Sequence, residues 1–205
     1  SCSLVLRIRY SSDKAKYKLG KKFGCDPVDE AYGLLKLAQQ HGLNVVGISF
    51  HIGSSCEDYD TYCEAIKVSR HIFDAAHQNG FRFHILDLGG GYPGETFDRI
   101  DEFAGKLNSA LEENFPLEMF PQLQIISEPG RYFVESAFTL ISFIHSRKIA
   151  KKSDGKIQEV MYYLNEGVYS NFLFIPLGPE TIEPQIMNDK RSDKKFNSTL
   201  WGEPR

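Results

Sequence analysis

The chain has 205 residues, and its formal net charge of −3 leaves it without the basic face that a nucleic acid partner requires. Its 41% apolar and 25% charged residues are an ordinary globular balance, with room for a real core in one or two domains. No apolar run approaches the roughly 18 residues of a membrane span, and no secretory signal opens the chain. The four cysteines (Cys2, Cys25, Cys56, Cys63) form no C-x-x-C pair and the six histidines do not cluster at zinc spacing, which points to free thiols in a reducing cytoplasm and to no metal.

Taken in order, residues 4–8 are short, apolar and rich in β-formers, a strand. Residues 9–20 are polar and read as a loop. Asp26 is placed to cap a helix, with Pro27 at its first position and Gly42 past its end. Within it Ala31, Leu34, Leu35 and Ala38 recur at helical spacing, so one face is expected to be buried. Residues 43–50 are nearly continuous in apolar side chains, as in a strand covered on both faces. His51-Ile52-Gly53-Ser54-Ser55 ends that strand. Residues 58–79 are helical again, with Ala65, Ile66, Ile72, Phe73 and Ala76 on one stripe and Gly80 as the stop.

A strand over residues 81–88 leads into Asp87-Leu88-Gly89-Gly90-Gly91-Tyr92-Pro93-Gly94. Phe97, Ile100, Phe103, Ala104, Leu107 and Leu111 then mark a third helix that ends before Pro116. Residues 124–127 form a short strand that enters Glu128-Pro129-Gly130-Arg131. Strand and helix alternate at about forty-residue spacing, which implies parallel βα units. The strands end on Arg7, His51, Asp87 and Glu128, where barrels and open α/β sheets both gather their sites. With no dinucleotide fingerprint, the reading is an α/β chain forming the C-terminal part of a (β/α)8 barrel. A whole barrel takes about 250 residues, so a preceding half is expected elsewhere and the chain is read as an internal piece of a longer protein. Residues 1–136 are assigned to this partial barrel and residues 137–205 to the start of an all-β domain. In that domain residues 137–150 and 160–164 read as strands, Val168 and Tyr169 follow a turn at Gly167, and residues 178–198 read as loop.

Three glycines in a row either make a tight turn or let unpaired N–H groups form an anion cup, for which phosphate is the natural guest. His51 is either a strand-end histidine bonded to backbone or a flat group laid against a ligand ring, with the Ser54 hydroxyl on a phosphate. Glu128 and Arg131 are either an ion pair across the Pro129-Gly130 turn or divided in duty. In the second case Arg131 forks onto phosphate oxygens and Glu128 pairs with a ring nitrogen. Arg7 is within reach of Glu128 or of ring substituents, and Asp87 either braces the loop or faces the ligand. Together these describe a site for a phosphorylated, nitrogen-containing aromatic ring. Pyridoxal 5'-phosphate fits most economically, since a carboxylate beside its ring nitrogen makes it an electron sink. A flavin mononucleotide would use the same phosphate cup without needing Glu128.

Ser49-Phe50-His51-Ile52-Gly53-Ser54, the Asp87 to Gly94 run, Ser127-Glu128-Pro129-Gly130-Arg131-Tyr132, Ser136-Ala137-Phe138-Thr139-Leu140 and the stretch from Met161 to Tyr169 together resemble eukaryotic ornithine decarboxylase. The resemblance runs from Leu4 to Trp201-Gly202. It implies a pyridoxal phosphate-binding barrel followed by a β-domain, a head-to-tail homodimer, and conversion of ornithine to putrescine in polyamine synthesis. By residue, it implies that His51 stacks on the cofactor. Ser54, Gly91 and Arg131 hold the phosphate, Pro129 and Gly130 shape the turn, Glu128 pairs with the ring nitrogen and Arg7 supports the ring. Lys22 matches a dimer contact. The chain lacks the family's cofactor-anchoring lysine stretch and its catalytic cysteine. Leu177-Gly178 stands where the family has a Tyr-Asp pair that meets the substrate side chain, and Asn165-Glu166-Gly167 replaces Asn-Asp-Gly. A decarboxylase of ornithine is therefore expected. The alternatives are a decarboxylase of another basic amino acid, or a catalytically impaired paralogue that binds antizyme.

Overall fold

The computed structural model describes residues 2–94, 99–178, 182–187 and 194–203. The chain divides into two units, Ser1–Phe138 and Thr139–Arg205.

The first unit is built on four parallel strands, β1 (Ser3–Arg7), β2 (Asn44–Ser49), β3 (Ile85–Asp87) and β4 (Gln124–Ile126), in the spatial order β1-β2-β3-β4. This consecutive order, with no reversal, separates it from a doubly wound sheet and makes it an arc of a (β/α)8 barrel. The connections are α1 (Ala31–Gln40), α2 (Tyr59–Gln78) and α3 (Ile100–Asn114). Phe97, expected to open the third helix, lies outside the described residues. Asp26 acts as a cap one turn ahead of α1: its Oδ1 accepts the N–H groups of Val28 and Asp29 at 2.9 Å each, and its own N–H donates to Glu30 at 2.6 Å. On α1 the buried stripe is Ala31, Leu35 and Ala38, while Leu34 is exposed. The α2 stripe is buried as its spacing predicts. Val45, Val46 and Ile48 on β2 are all buried, so this inner strand is covered on both faces.

β3 is shorter than its apolar run. The Phe81 N–H is used by the carbonyl of Ala76 at the end of α2, at 3.0 Å, and pairing with the sheet begins only where His84 donates to Val46 at 2.8 Å. Phe81 and Phe83 instead join a cluster of rings with Phe73. After β4 comes a single-turn helix, α4 (Arg131–Val134), which the residue pattern does not announce.

The second unit is a three-stranded sheet of β5 (Ile144–Lys151), β6 (Ile157–Leu164) and β7 (Ser198–Trp201), antiparallel between β5 and β6 and parallel between β6 and β7. Of the β-like residues before Ile144, only Phe143 bonds across, its carbonyl accepting the Asn165 N–H at 3.2 Å. The ladder stops where the Phe143 N–H turns to the Asn165 side chain at 2.7 Å. β7 was not expected, because its four residues follow a polar stretch. A short helix, α5 (Phe174–Leu177), follows the turn at Val168 and Tyr169. Among the described residues no helix is long and apolar enough to cross a membrane.

Two glycines in the first unit separate packing from propensity. A Cβ on Gly47 would lie 2.0 Å from the Ile85 carbonyl oxygen, whereas one on Gly33, inside α1, meets nothing within 4 Å. Gly47→Ala is expected to destabilise by about 3 kcal/mol or more. Gly33→Ala should stabilise by about 0.5–1 kcal/mol. Urea unfolding of the two variants checks both signs.

Candidate functional site

The parallel strands deliver their carboxyl ends to one place. Main-chain bonding continues past the strands: Phe50 donates to Asp87 at 3.1 Å, Leu88 to Ile126 at 2.9 Å, and Glu128 to Gly89 at 2.7 Å. These bonds draw the loops after β2, β3 and β4 together. The contacts are so close that a Cβ on Gly89 would sit 2.1 Å from the Phe50 oxygen. One on Gly90 would sit 2.2 Å from the Glu128 oxygen, and one on Gly91 2.0 Å from the Gly53 oxygen. Gly89 and Gly91 also hold φ at +66° and +84°. The triple glycine is thus required first by backbone packing.

An aromatic cluster supports the loop from behind. Tyr62 on α2, Tyr92 and Phe103 on α3 pack with centroids 5.2 to 5.8 Å apart. Their phenols reach back to the loop carbonyls, Tyr92 to Gly89 at 3.1 Å and Tyr62 to Gly90 at 3.3 Å. Burial raises both phenols well above the usual tyrosine range, so both remain donors. The Gly89 N–H is taken by Asp87 Oδ1 at 2.9 Å. The N–H groups of Gly90 and Gly91 have no protein acceptor among the described residues.

His51 sits beside Gly91, whose added Cβ would come 3.0 Å from the imidazole Cε1. Its Nδ1 accepts the Gly53 N–H at 3.2 Å, which places the proton of the neutral ring on Nε2. Half-burial first, and then the Arg7 charge, hold His51 below the usual histidine range, partly opposed by Asp87. Arg7 lies with its guanidinium 5.0 Å from the Phe23 ring centroid. Ser54 is fixed by main-chain exchange with Tyr17, at 3.0 and 3.3 Å. At the last loop, Arg131 Nη1 donates to Glu135 Oε1 at 2.5 Å, and the other oxygen of Glu135 accepts the Gly94 N–H at 2.7 Å. Glu135 therefore ties the far end of the glycine loop to the Arg131 turn. The i, i+4 spacing from Arg131 is the signal that would have found it. Gly130 has an ordinary φ of −103°, and a Cβ there meets nothing within 4 Å among the described residues.

The structure thus brings Arg7, His51 and Gly91 together and sets Glu128 against Gly90 and Asp87, with Ser54 and Arg131 on the adjoining loops. Asp87 braces the glycine loop through its bond from the Gly89 N–H. Among the described residues no cluster of three or more His, Cys, Asp or Glu is suited to a metal ion. A groove lined by Asn108, Glu112, Phe115 and Leu123 lies toward the opposite, amino end of β4 and contains none of these groups.

A parallel barrel arc that gathers a glycine loop, carboxyl groups and an imidazole at its strand ends is an α/β protein of the barrel class. Residues 1–135 match the family described as "Pyridoxal-dependent decarboxylase, pyridoxal binding domain", and the chain belongs to that family. It is 38% identical to ornithine decarboxylase 2 of Drosophila melanogaster over 98% of this chain and 50% of that protein. It is 36% identical to antizyme inhibitor 2 of Xenopus laevis over 97% of this chain and 45% of that protein. The crystal structure of the arginine decarboxylase of Paramecium bursaria Chlorella virus superposes with a TM-score of 0.86. The two are 31% identical, over 98% of this chain and 52% of that one. The chain spans about half the length of the relatives it matches.

Ser55 carries strain that the site does not explain. It holds φ at +51° with a side chain, and its buried hydroxyl has no partner among the described residues. Ser55→Gly removes both costs and is expected to stabilise by about 1–2 kcal/mol in urea unfolding. His51 supplies a pH test. Its folded pKa lies below the unfolded value of about 6.5, so between the two the unfolded chain binds more protons. Stability is complete above that range and falls as pH drops through the folded value. His51→Gln should flatten this acid-side decline in the measured stability profile.

Proposed function

We propose that this chain is the pyridoxal 5'-phosphate-binding part of a carboxy-lyase that converts ornithine to putrescine, working in the cytoplasm as a homodimer when full length. The observation that carries the reading is Gly130. The other glycines of the site are explained by protein packing, but Gly130 is exposed, has an unstrained backbone, and a Cβ on it would meet nothing within 4 Å among the described residues. Space kept clear at a strand-end turn, next to a carboxylate and an arginine, is what a bound ring phosphate needs.

The donor set fits the cofactor. The unpartnered amides of Gly90 and Gly91 and the Ser54 hydroxyl are neutral donors for a phosphate, and Arg131, oriented by Glu135, adds a charged one. Pro129 fixes the turn that separates Glu128 from Arg131. Glu128, after β4, would accept from the ring nitrogen, and Arg7 ends β1, beside β2 and His51. A neutral His51, held flat by its bond from Gly53, stacks on the ring without repelling a positive pyridinium. When bound, pyridoxal phosphate supplies an electron sink for the pair released as the amino acid loses its carboxylate.

A second reading is a regulatory paralogue that binds antizyme. The similarity to antizyme inhibitor 2, close in identity to that with the decarboxylases, supports keeping it. The relation to an arginine decarboxylase similarly keeps other basic amino acids in view as substrates. Release of CO2 from ornithine by the full-length protein, with the cofactor's visible absorbance, favours the enzyme. Tight antizyme binding without that absorbance favours the regulator.

Gly130→Ala tests the cofactor reading on this chain. Unfolding stability should change by no more than about 0.5 kcal/mol, while affinity for pyridoxal phosphate, read by absorbance titration, should fall about tenfold or more. Unchanged affinity would remove the main support for the proposal.

A further inference from the structure

We propose that Asp58 is a positioning residue of this site: its carboxylate anchors residues 12–17 as a strap against the loop after β2, and the strap sets the place of Ser54. The inference rests on the cofactor reading for its purpose, while the strap itself belongs to the protein alone.

The polar stretch between β1 and α1 has few inward contacts. Among residues 11–18 only Ser12 and Ala15 are buried. Ser12 joins the segment after β2 twice. Its N–H donates to Ile52 at 3.3 Å, and its hydroxyl donates to Asp58 Oδ2 at 2.7 Å. The same hydroxyl accepts the Lys14 N–H at 3.1 Å, which closes a turn in the strap. From that turn the chain runs to Tyr17, which exchanges two main-chain bonds with Ser54 in a short antiparallel bridge. Those bonds use only the main chain, so the Ser54 hydroxyl is not spent on them. Between Ile52 and Ser54 lies Gly53, at φ +131°. A Cβ on it would come 2.6 Å from Ala15 Cβ and 2.7 Å from the Tyr17 oxygen. The strap therefore bears on the residue whose own carbonyl leaves no room for a Cβ at Gly91.

Asp58 is committed to this arrangement. It stands at the N-cap of α2, where a carboxylate ordinarily accepts helix N–H groups, yet its side chain makes no such bond. Oδ2 instead takes the hydroxyls of Ser12 and of Thr61, the latter at 2.8 Å, and Oδ1 lies 3.5 Å from Lys14 Nζ. The Ser12 bond first, and then Thr61 and Lys14, hold the carboxyl below the usual aspartate range against the effect of burial. Ser12 is only 3% exposed, so losing Asp58 costs its hydroxyl an acceptor in a place with little water. Helix α2, with its buried stripe, is thus the fixed element from which the strap is held.

The test uses the full-length protein and two probes, pyridoxal phosphate and pyridoxal, which lacks the phosphate. Asp58→Ala should lower affinity for pyridoxal phosphate about tenfold and leave affinity for pyridoxal within about twofold of wild type. Asp58→Asn keeps an oxygen acceptor for both hydroxyls and should restore most of the loss. Ser12→Ala, which leaves α2 intact, should weaken binding in the same phosphate-selective way. In a Ser54→Ala background, Asp58→Ala should add no more than about a twofold loss, because it acts through Ser54. In the cofactor-free protein, amide hydrogen exchange at Tyr17 and Ser54 should quicken about tenfold or more in Asp58→Ala but not in Asp58→Asn. Unchanged exchange in Asp58→Ala, equal losses for the two probes, or a full further loss in the Ser54→Ala background overturns the inference and leaves the cofactor reading standing. So does wild-type affinity in both Asp58→Ala and Ser12→Ala. If exchange quickens as expected but the wild type binds no pyridoxal phosphate, the strap stands and the cofactor reading fails.

Discussion

The first unit depends on three loops meeting without side chains between them. The carbonyl oxygens of Phe50, Gly53 and Glu128 lie where Cβ atoms of Gly89, Gly91 and Gly90 would otherwise be. Everything chemical follows from that approach. It places the ends of β2, β3 and β4 within hydrogen-bonding reach and sets His51 beside Gly91. It also leaves the Gly90 and Gly91 amides without a protein acceptor among the described residues. A sheet whose strand ends diverged by one side-chain radius would carry the same residues and no site. The rings of Tyr62, Tyr92 and Phe103 make the arrangement stiff, because the two tyrosine hydroxyls are spent on the loop's carbonyls and the three rings pack against one another beside it.

Charge in the site is organised by burial together with partners. Arg131 is held by Glu135, and Glu135 is held in turn by the Gly94 amide, so the guanidinium has a fixed direction. His51 is biased to its neutral form by burial and by Arg7. Asp87 leans toward its protonated form through burial and Glu128. Each shift lowers the net charge that the protein would bury in a closed site, which is how low-dielectric pockets with several ionisable groups remain stable.

Much of this was legible from residue order. Alternation of apolar strands with helical stripes gave the βα units, and polar residues at strand ends marked Arg7, His51, Asp87 and Glu128. What escaped was long-range or very local. Glu135 is an unremarkable helix-end carboxylate until the fold brings Gly94 to it. The left-handed Ser55 has no sequence signal, because nothing in a serine announces positive φ. The run from Phe81 looked like strand because its aromatic residues suit a sheet. Its first amide, however, closes the α2 helix, and its rings pack on Phe73. β7 was hidden because four residues beside a polar stretch carry too little periodicity, and only the ladder with β6 defines them.

The glycines also bear on the choice between an enzyme and a regulatory relative. Gly89, Gly90 and Gly91 say nothing about cofactor, since a protein that bound none would need them to close its loops. The same holds for Tyr62 and Tyr92, which serve those loops. Gly130 is different in kind. Replacing its hydrogen by a methyl group offends no protein atom among the described residues, so packing sets no limit on what stands there. The physical case for a ligand therefore narrows to positions where the fold is indifferent and the chemistry is not. Gly130 and the amides of Gly90 and Gly91, which have no protein acceptor among the described residues, are those positions, and all belong to the loops that end β3 and β4.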